Sequence, residues 1–303
     1  MLIDIQDAVD TMTRSAVIFF RKQLAALPTQ DFMQAVLSGP SDGHSHDWSW
    51  IGDLAAVNEW TDERTLNELQ QFSYSLTNAR WESTVRVPLM AFRTQNATLI
   101  QQRVNELVEA GRRHLWRRFI DLLIAGTTGL GFDAAAFFAD AHSYADSGSY
   151  DNLLGGSGVD TDAHVETDWL AVKAAMASFP NSRGEPIEAV PDLVVCPTGV
   201  EHRFRKLFNA TMLSNNSNIY VNEAQVIGSA RLAANDANDW YAFCTKLPAK
   251  PFVFQENIPW RMGAVTNLND SWVFLNDALL YGGDGYYQMG YGLPQLAVKV
   301  VNS

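Results

Sequence analysis

The stretch DALLYGGDGYYQMGYGLPQLA, residues 277–297, places five glycines and four tyrosines within 21 residues. Glycine-rich loops bind phosphate when a Lys-Ser or Lys-Thr pair and the first turn of a helix follow them. Neither feature follows here. The sequence therefore predicts tight turns between short strands, with tyrosine rings packed against a neighbouring element, rather than a nucleotide site.

The composition is that of a globular protein with a sizeable core. The chain has 303 residues, of which 47% are hydrophobic and 18% are charged. That is enough for one large domain or two smaller ones, and it excludes wholesale disorder. The formal net charge of -12 makes the chain as a whole a poor partner for a polyanion such as nucleic acid.

Cysteine usage and the N-terminus indicate a cytosolic, soluble protein. Cys196 and Cys244 both lie in apolar runs and are too few for a disulfide framework, so we interpret them as small buried hydrophobes. The first ten residues are acidic, whereas a secretory signal is basic. No apolar run approaches the roughly 20 residues that cross a bilayer, and we expect no membrane partner.

Two long segments carry apolar residues at helical spacing. Residues 9–27 predict an amphipathic helix that Pro28 ends. Residues 96–125 show the strongest pattern, and Gly126 suits the end of that helix. At about 1.5 Å per residue the second helix would be about 45 Å long, which is unusual for a compact domain.

The C-terminal half mixes helices and short strands, so the fold class is α+β. Residues 168–179 predict a helix, and a T-x-x-E capping box of Thr198 and Glu201 predicts another after a buried strand. Short strands are expected at WYAFC, FVFQ, WVFLN and LAVKVV.

Residues 57–88 predict a long extended ribbon that has little core of its own. The segment WESTVRVP alternates apolar and polar side chains, and the residues around Tyr74 do the same. An isolated two-stranded ribbon is marginally stable in water. We therefore expect this segment to lie on a surface that it does not supply itself.

Two clusters contain residues that could bind a metal. His44, His46 and Asp47 offer imidazole and carboxylate ligands, but a solvated loop is the favoured interpretation because no second cluster has matching spacing. The second cluster could serve metal binding or acid–base chemistry, although we favour a structural hydrogen bond from its histidine. It consists of Asp133, Asp140 and His142.

The sequence contains no catalytic signature, so we expect a protein that is not an enzyme and has no cofactor. Four arginines on the long predicted helix form a basic patch that could contact phosphates, although a solvated or interface surface is the simpler interpretation. They are Arg112, Arg113, Arg117 and Arg118.

Motifs in a fixed order resemble those of the Mu-like phage major head subunit family. A Trp-x-Gly element, a Glu-Trp pair, a WE-x-T strand, an F-D…FF…H element and a closing Y-G-x-D…G-x-G-L…Q-L-A follow one another in the family's order. The matching residues are Trp50, Gly52, Glu59, Trp60, Arg64, Tyr74, Asn78, Trp81, Glu82, Thr84, Asp133, Phe137, Phe138, His142, Tyr281, Gly282, Asp284, Gly290, Gly292, Leu293, Gln295, Leu296 and Ala297. Pro294 and Tyr286 depart from the family's usual Trp and Arg.

The resemblance implies a Hong Kong 97-type capsid fold with four parts. Residues 1–56 would form an N-terminal arm and linker, and residues 57–88 the extended loop. Residues 89–188 would form the peripheral domain, with a spine helix at 96–125. Residues 189–303 would form the axial domain and return some strands to the peripheral domain.

The resemblance also implies function and partners. The protein would be a major capsid protein that self-assembles into an icosahedral shell of hexamers and pentamers around double-stranded DNA, without sequence-specific contacts to it. We expect the extended loop to contact the adjacent subunit through Trp60, Glu63, Arg64, Tyr74, Trp81, Glu82 and Arg86.

Further partners would be a portal, a decoration protein and a scaffolding protein. We expect the scaffold to be a separate protein, because the chain begins at Met1. Assembly would take place in the host cytoplasm and end in the virion capsid. The alternatives are an encapsulin-like compartment shell and, more remotely, a metal-dependent enzyme using His44, His46 and Asp47.

Overall fold

A computed structural model describes residues 5–51, 71–94, 96–143, 149–181, 184–213 and 216–302. Within them the helices are α1 Ile5–Ala26, α2 Leu89–Arg93, α3 Ala97–Ala125, α4 Asp162–Ser178, α5 Glu201–Asn209, α6 Ala230–Asn235 and α7 Ser271–Asn276, with short 3-10 helices at Asp31–Ala35 and Pro294–Leu296. None of the described helices has both the length and the apolar character needed to cross a membrane.

The strands of the described residues are mostly short, with two exceptions of 14 residues each, β13 and β14. They are β1 Val36–Pro40, β2 Ser45–Ile51, β3 Gln71–Thr77, β4 Ala79–Pro88, β5 His142–Ser143, β6 Ser149–Tyr150, β7 Leu153–Gly155, β8 Leu193–Pro197, β9 Met212–Leu213, β10 Asn216–Ser217, β11 Gln225–Ser229, β12 Trp240–Phe243, β13 Phe252–Val265, β14 Ala278–Tyr291 and β15 Ala297–Val301.

A four-stranded sheet in the order β1-β13-β14-β4 organises one half of the molecule. β14 lies between β13 and β4 and pairs antiparallel with both. The glycine- and tyrosine-rich stretch is therefore mainly one long inner strand, and the predicted tight turns between short strands are wrong. Its glycines permit close approach instead: a Cβ on Gly283 would lie 2.4 Å from the Trp260 ring, and one on Gly290 would lie 2.9 Å from Leu76.

The long helix α3 packs on one face of this sheet with α1 beside it. The predictions of both helices are confirmed, and the Asn96 side chain caps α3 by accepting a hydrogen bond from the Leu99 N–H at 3.1 Å. Most of the predicted apolar stripe of α3 is buried, and its Leu115 and Leu122 are partly buried. α3 contacts both β14 and β4, so it covers the two strands that end the sheet on that side.

A second sheet in the order β11-β8-β12-β15-β7 forms the other half, with α4 and α5 packed against it. All five residues of β8 are buried, as the run LVVCP predicts. α4 begins at Asp162, several residues before the predicted start. The reason is that the Thr161 hydroxyl accepts a hydrogen bond from the His164 N–H at 3.1 Å and caps the helix there.

Of the predicted ribbon, residues 57–88, the part 57–70 lies outside the described residues, and the described part pairs with two different elements. β2 and β3 pair antiparallel from Ser45 opposite Thr77 to Ile51 opposite Gln71. β4, the last part of the predicted segment, belongs instead to the chain's own four-stranded sheet. Alternation alone predicted its strand conformation, but its partner β14 lies almost 200 residues further along the chain.

Two local predictions fail. The run WVFLN forms α7 rather than a strand, because the Asp270 carboxylate accepts from the Trp272 N–H at 2.8 Å and starts a helix. The capping box of Thr198 and Glu201 does not form, since α5 begins after Val200 without a side-chain cap. Glu201 accepts instead from the Arg205 guanidinium at 2.6 Å, one turn later.

Candidate functional site: surfaces for subunit contacts

The two histidine clusters make hydrogen bonds and ring contacts within the chain. His44 Nδ1 is hydrogen-bonded to the Tyr286 hydroxyl, and the His46 ring meets the Trp48 ring edge-on at 5.4 Å. Asp47 follows His46 on β2, so the two side chains point to opposite faces of the ribbon. Across the described ranges, no group of three or more His, Cys, Asp or Glu side chains is arranged to hold a metal ion.

His142 lies fully buried in a hydrogen-bond network. Its Nδ1 is 2.7 Å from Asp133 Oδ2 and its Nε2 is 3.0 Å from Asn152 Oδ1. Asp140 is exposed and takes no part in it. The Asn152 amide ties the loop after α3 to the start of β15, because its nitrogen donates to three backbone carbonyls, those of Phe137, Pro294 and Ala297. The structural hydrogen bond favoured for His142 is present.

Both cysteines are free and buried. Burial, the larger cause, raises the pKa of the Cys196 thiol to about 12, and the Glu201 carboxylate adds to the shift. A nucleophilic cysteine needs the opposite shift, since the thiolate is the reactive form. Cys196 therefore serves packing, as the sequence predicts.

The predicted loop contacts divide into two groups. Trp60, Glu63 and Arg64 lie outside the described residues. Tyr74, Trp81, Glu82 and Arg86 are described, and all four touch their own chain.

Trp81 and Tyr74 are partly buried, whereas the two charged residues are exposed. The Trp81 indole donates to the Tyr287 carbonyl at 3.0 Å, and its ring centre lies 4.3 Å from that of His114. Tyr74 packs with Leu76 on β3, and burial raises the pKa of its hydroxyl. Contacts with an adjacent subunit stay a prediction for these residues.

The arginines of α3 differ in solvent exposure and in their ion-pair partners. Arg113 and Arg117 are exposed and make no ion pair among the described residues. Arg112 is half-buried and lies 3.9 Å from a carboxylate one turn earlier. Arg118 turns inward, with its guanidinium 5.3 Å from the centre of the Trp81 ring. The four arginines therefore differ in exposure and in their neighbours, and a basic patch formed by them stays a prediction.

An exposed apolar surface on α7 was not foreseen, because WVFLN was interpreted as a strand. Phe274 and Leu275 are 81% and 79% exposed, and Trp272 is 36% exposed, whereas Val273 between them is buried. α7 connects the two longest strands, β13 and β14. A monomeric protein rarely exposes adjacent large apolar side chains without a partner for them.

A small cavity of about 200 Å3 lies between the end of α1, the middle of α3 and the four-stranded sheet. Its walls are largely apolar, and no sequence signal pointed to it because its residues come from distant parts of the chain. They include Leu24, Leu27, Met33, Leu115, Trp260 and Tyr287.

Comparison with known proteins identifies relatives along almost the whole chain. The family model of the Mu-like prophage major head subunit gpT matches residues 9–164, 158–232 and 228–303. The Mu-like prophage FluMu major head subunit of Haemophilus influenzae is 23% identical over 281 residues, covering 93% of this chain and 69% of that protein. The major capsid protein of Escherichia phage Mu is 23% identical over 261 residues, covering 86% and 63%. The chain thus spans about two thirds of the length of these relatives.

A solved structure shares the fold. A chain of the bacteriophage JBD30 procapsid superimposes with a TM-score of 0.60 at 20% sequence identity, covering 96% of this chain and 74% of that chain. The likeness therefore extends through both sheets and α3.

Proposed function

The chain belongs to the Mu-like prophage major head subunit gpT family and is a shell-forming major capsid protein of the Hong Kong 97-type fold, and we propose how its copies meet. They form hexamers and pentamers that close into an icosahedral shell around double-stranded DNA. The encapsulin-like alternative is weaker, because the family match points to phage heads. A particle that contains a protein cargo instead of DNA would favour that alternative.

The exposed apolar surface of α7 carries the proposal about subunit contacts. Large aromatic patches on a soluble chain mark protein interfaces. Phe274 and Leu275 are covered when copies associate, and each such contact is weak alone. Closed shells gain stability from repeating weak contacts under symmetry.

The parts of the fold take the roles that the family resemblance implies. The five-stranded sheet with α4 and α5 serves as the axial domain, and α3 with the four-stranded sheet serves as the peripheral domain. In this assignment β13 and β14 are the strands that return to the peripheral domain. The extended loop stays assigned to residues 57–88, of which the structure describes 71–88.

Other partners follow from the role of the shell. A scaffolding protein, a portal and a decoration protein contact it during assembly in the host cytoplasm. DNA contacts involve the phosphate backbone without sequence readout, and the exposed guanidinium groups of Arg113 and Arg117 support such contacts.

The test uses three consecutive residues of α7, two exposed and one buried. Phe274→Ser combined with Leu275→Ser should reduce particle yield by roughly tenfold or more while the isolated chain keeps its melting temperature. Val273→Ser, which alters the 2%-exposed position, should instead lower the melting temperature. Particle yield is measured by sedimentation and electron microscopy, with the scaffolding protein supplied. Normal yield from the double variant would refute the role of α7.

A further inference from the structure

The cavity between α1, α3 and the four-stranded sheet has room for one ring with a short chain attached. Its volume is about 200 Å3, and a dry cavity of about 150 Å3 with apolar walls holds a benzene molecule. Its floor is rigid, because the Trp260 indole donates to the Leu107 carbonyl at 3.1 Å and lies against Gly111. Pro28 and Thr29 line the cavity and are exposed, so it opens to solvent. It therefore needs little rearrangement to accept a small molecule.

One carboxylate in the wall has no partner in the described part of the chain. Glu256 lies on β13 and lines the cavity, and none of the described groups donates a hydrogen bond to its carboxylate or forms an ion pair with it. Burial raises the pKa of this carboxyl, and no neighbouring donor or positive charge offsets the shift. The carboxylate is thus partly removed from water while still lacking a donor.

The donors of the neighbouring lining side chains are used elsewhere. Tyr287 is paired across the strands with the residue that carries this carboxylate, but its hydroxyl is hydrogen-bonded to His114 Nδ1 at 2.9 Å. The Gln30 amide donates to the Arg112 carbonyl at 3.1 Å, and the Arg112 guanidinium lies 3.9 Å from a carboxylate one turn earlier on α3. The Trp260 indole is bonded to α3, as described above. The missing donor therefore has to come from solvent or from a bound molecule.

The walls and the carboxylate together select one class of ligand. An ordered water needs two to four polar partners, which largely apolar walls do not supply. An ammonium group brings both the donor and the opposite charge, and such charge-assisted hydrogen bonds are about twice as strong as neutral ones. Trp260 and Tyr287 also line the cavity, and aromatic faces attract ammonium ions. Among the lining residues of the described chain, Arg112 alone is positively charged, and its carboxylate neighbour on α3 offsets that charge.

We propose that this cavity binds a primary amine whose body is one aromatic ring on a short chain. The ammonium group donates to Glu256, and the ring packs between Leu24 of α1, Leu115 of α3 and the Trp260 indole. Occupancy joins α1, α3 and the sheet, so the ligand stabilises the folded chain by mass action. The inference goes beyond the proposed function and does not depend on it, because the whole site lies within one copy.

Three compounds of similar size and different charge test the site on the full chain by isothermal titration calorimetry. Phenethylamine is a cation at neutral pH, 2-phenylethanol is neutral and phenylacetate is an anion. We expect phenethylamine to bind roughly tenfold more tightly than 2-phenylethanol, and phenylacetate to bind most weakly. Equal affinities for the amine and the alcohol would overturn the proposal, and so would a lack of binding of the amine.

Matched variants show whether Glu256 causes the preference. Glu256→Gln keeps the shape of the side chain and removes its charge, so it should abolish the preference for the amine. Glu188→Gln makes the same change in net charge at an exposed position between α4 and β8, and it should leave the preference unchanged. Because the chain is acidic, a preference that survives Glu256→Gln would place the amine elsewhere on the surface and contradict the assignment.

A filling substitution tests the location without altering the charge. Leu24→Trp places a ring in the cavity and should weaken amine binding by roughly tenfold or more, whereas Ala25→Trp, at the exposed next position outside the lining, should not. Phenethylamine should raise the melting temperature of the parent and of Ala25→Trp, but not that of Leu24→Trp or Glu256→Gln. Unchanged binding by a folded Leu24→Trp chain would show that the amine occupies another site. If circular dichroism shows that Leu24→Trp does not fold, the comparison of Glu256→Gln with Glu188→Gln decides.

Discussion

Gly283→Ala tests why the inner strand β14 is rich in glycine. A Cβ at this position would lie 2.4 Å from Trp260 Cζ2 and 2.7 Å from Cε2. The indole is held on the side of α3, because its nitrogen donates to the Leu107 carbonyl and a Cβ on Gly111 would lie 2.7 Å from that nitrogen. The ring is thus held between α3 and β14. The neighbouring Gly282 supplies a matched control, since a Cβ there would meet Thr84 Oγ1 at 3.4 Å, an ordinary contact.

The expected loss of stability in Gly283→Ala follows from overpacking of the site. Forcing an extra carbon into a packed site costs about 1–3 kcal/mol, so we expect about 2 kcal/mol of destabilisation for Gly283→Ala. Gly282→Ala should be neutral or stabilise by about 0.5 kcal/mol, because alanine restricts the unfolded chain. Unfolding entropy of about 2.1 cal/mol/K per residue amounts to about 0.6 kcal/mol/K for 303 residues. The two variants should therefore differ in melting temperature by about 4 °C.

The measurement is thermal unfolding of the isolated chain by circular dichroism, with urea unfolding at fixed temperature as a second probe. Near-ultraviolet circular dichroism reports whether the indole environment changes. Equal melting temperatures for the two variants would refute the idea that close ring packing requires glycine at this position.

Two further expectations concern the isolated chain. Trp81→Ala should destabilise it by about 2 kcal/mol or more in urea unfolding, because the ring packs on His114 and donates to the Tyr287 carbonyl. The control Glu82→Ala should change the free energy of unfolding by less than about 0.5 kcal/mol. If the chain with Trp81→Ala is as stable as the parent, the ring contributes mainly between subunits, as the sequence predicts. The urea midpoint should fall as the pH rises past the ordinary pKa of cysteine, about 8.5, and fall more steeply past that of tyrosine, about 10, because the buried thiol and hydroxyls keep their protons longer in the folded state than in the unfolded state. A flat midpoint to about pH 11 would contradict the burial that raises the pKa of Cys196, Tyr241, Tyr287 and Tyr291.

The sequence by itself determined the elements whose signal is local. The 3.6-residue spacing of apolar side chains specified α1 and α3, and the alternation in WESTVRVP specified the conformation of β4. The order of short motifs identified the family, which the match over residues 9–303 confirms. These helices, this strand and these motifs can be identified without knowing the fold, because each pattern involves residues only a few positions apart.

Only the tertiary structure decided which distant segments meet. β14 is one inner strand because β13 and β4 pair with its two edges, and its Gly283 is explained by Trp260 on β13. A run of four apolar residues such as WVFL fits a buried strand or a helix equally well, and the Asp270 cap together with the missing sheet partner selected the exposed helix α7. The cavity beside Glu256 has walls from α1, α3 and β13, whose proximity depends on strand pairing between residues more than 150 positions apart. Such pairing is set by burial summed over the whole molecule, which no local pattern in the sequence records.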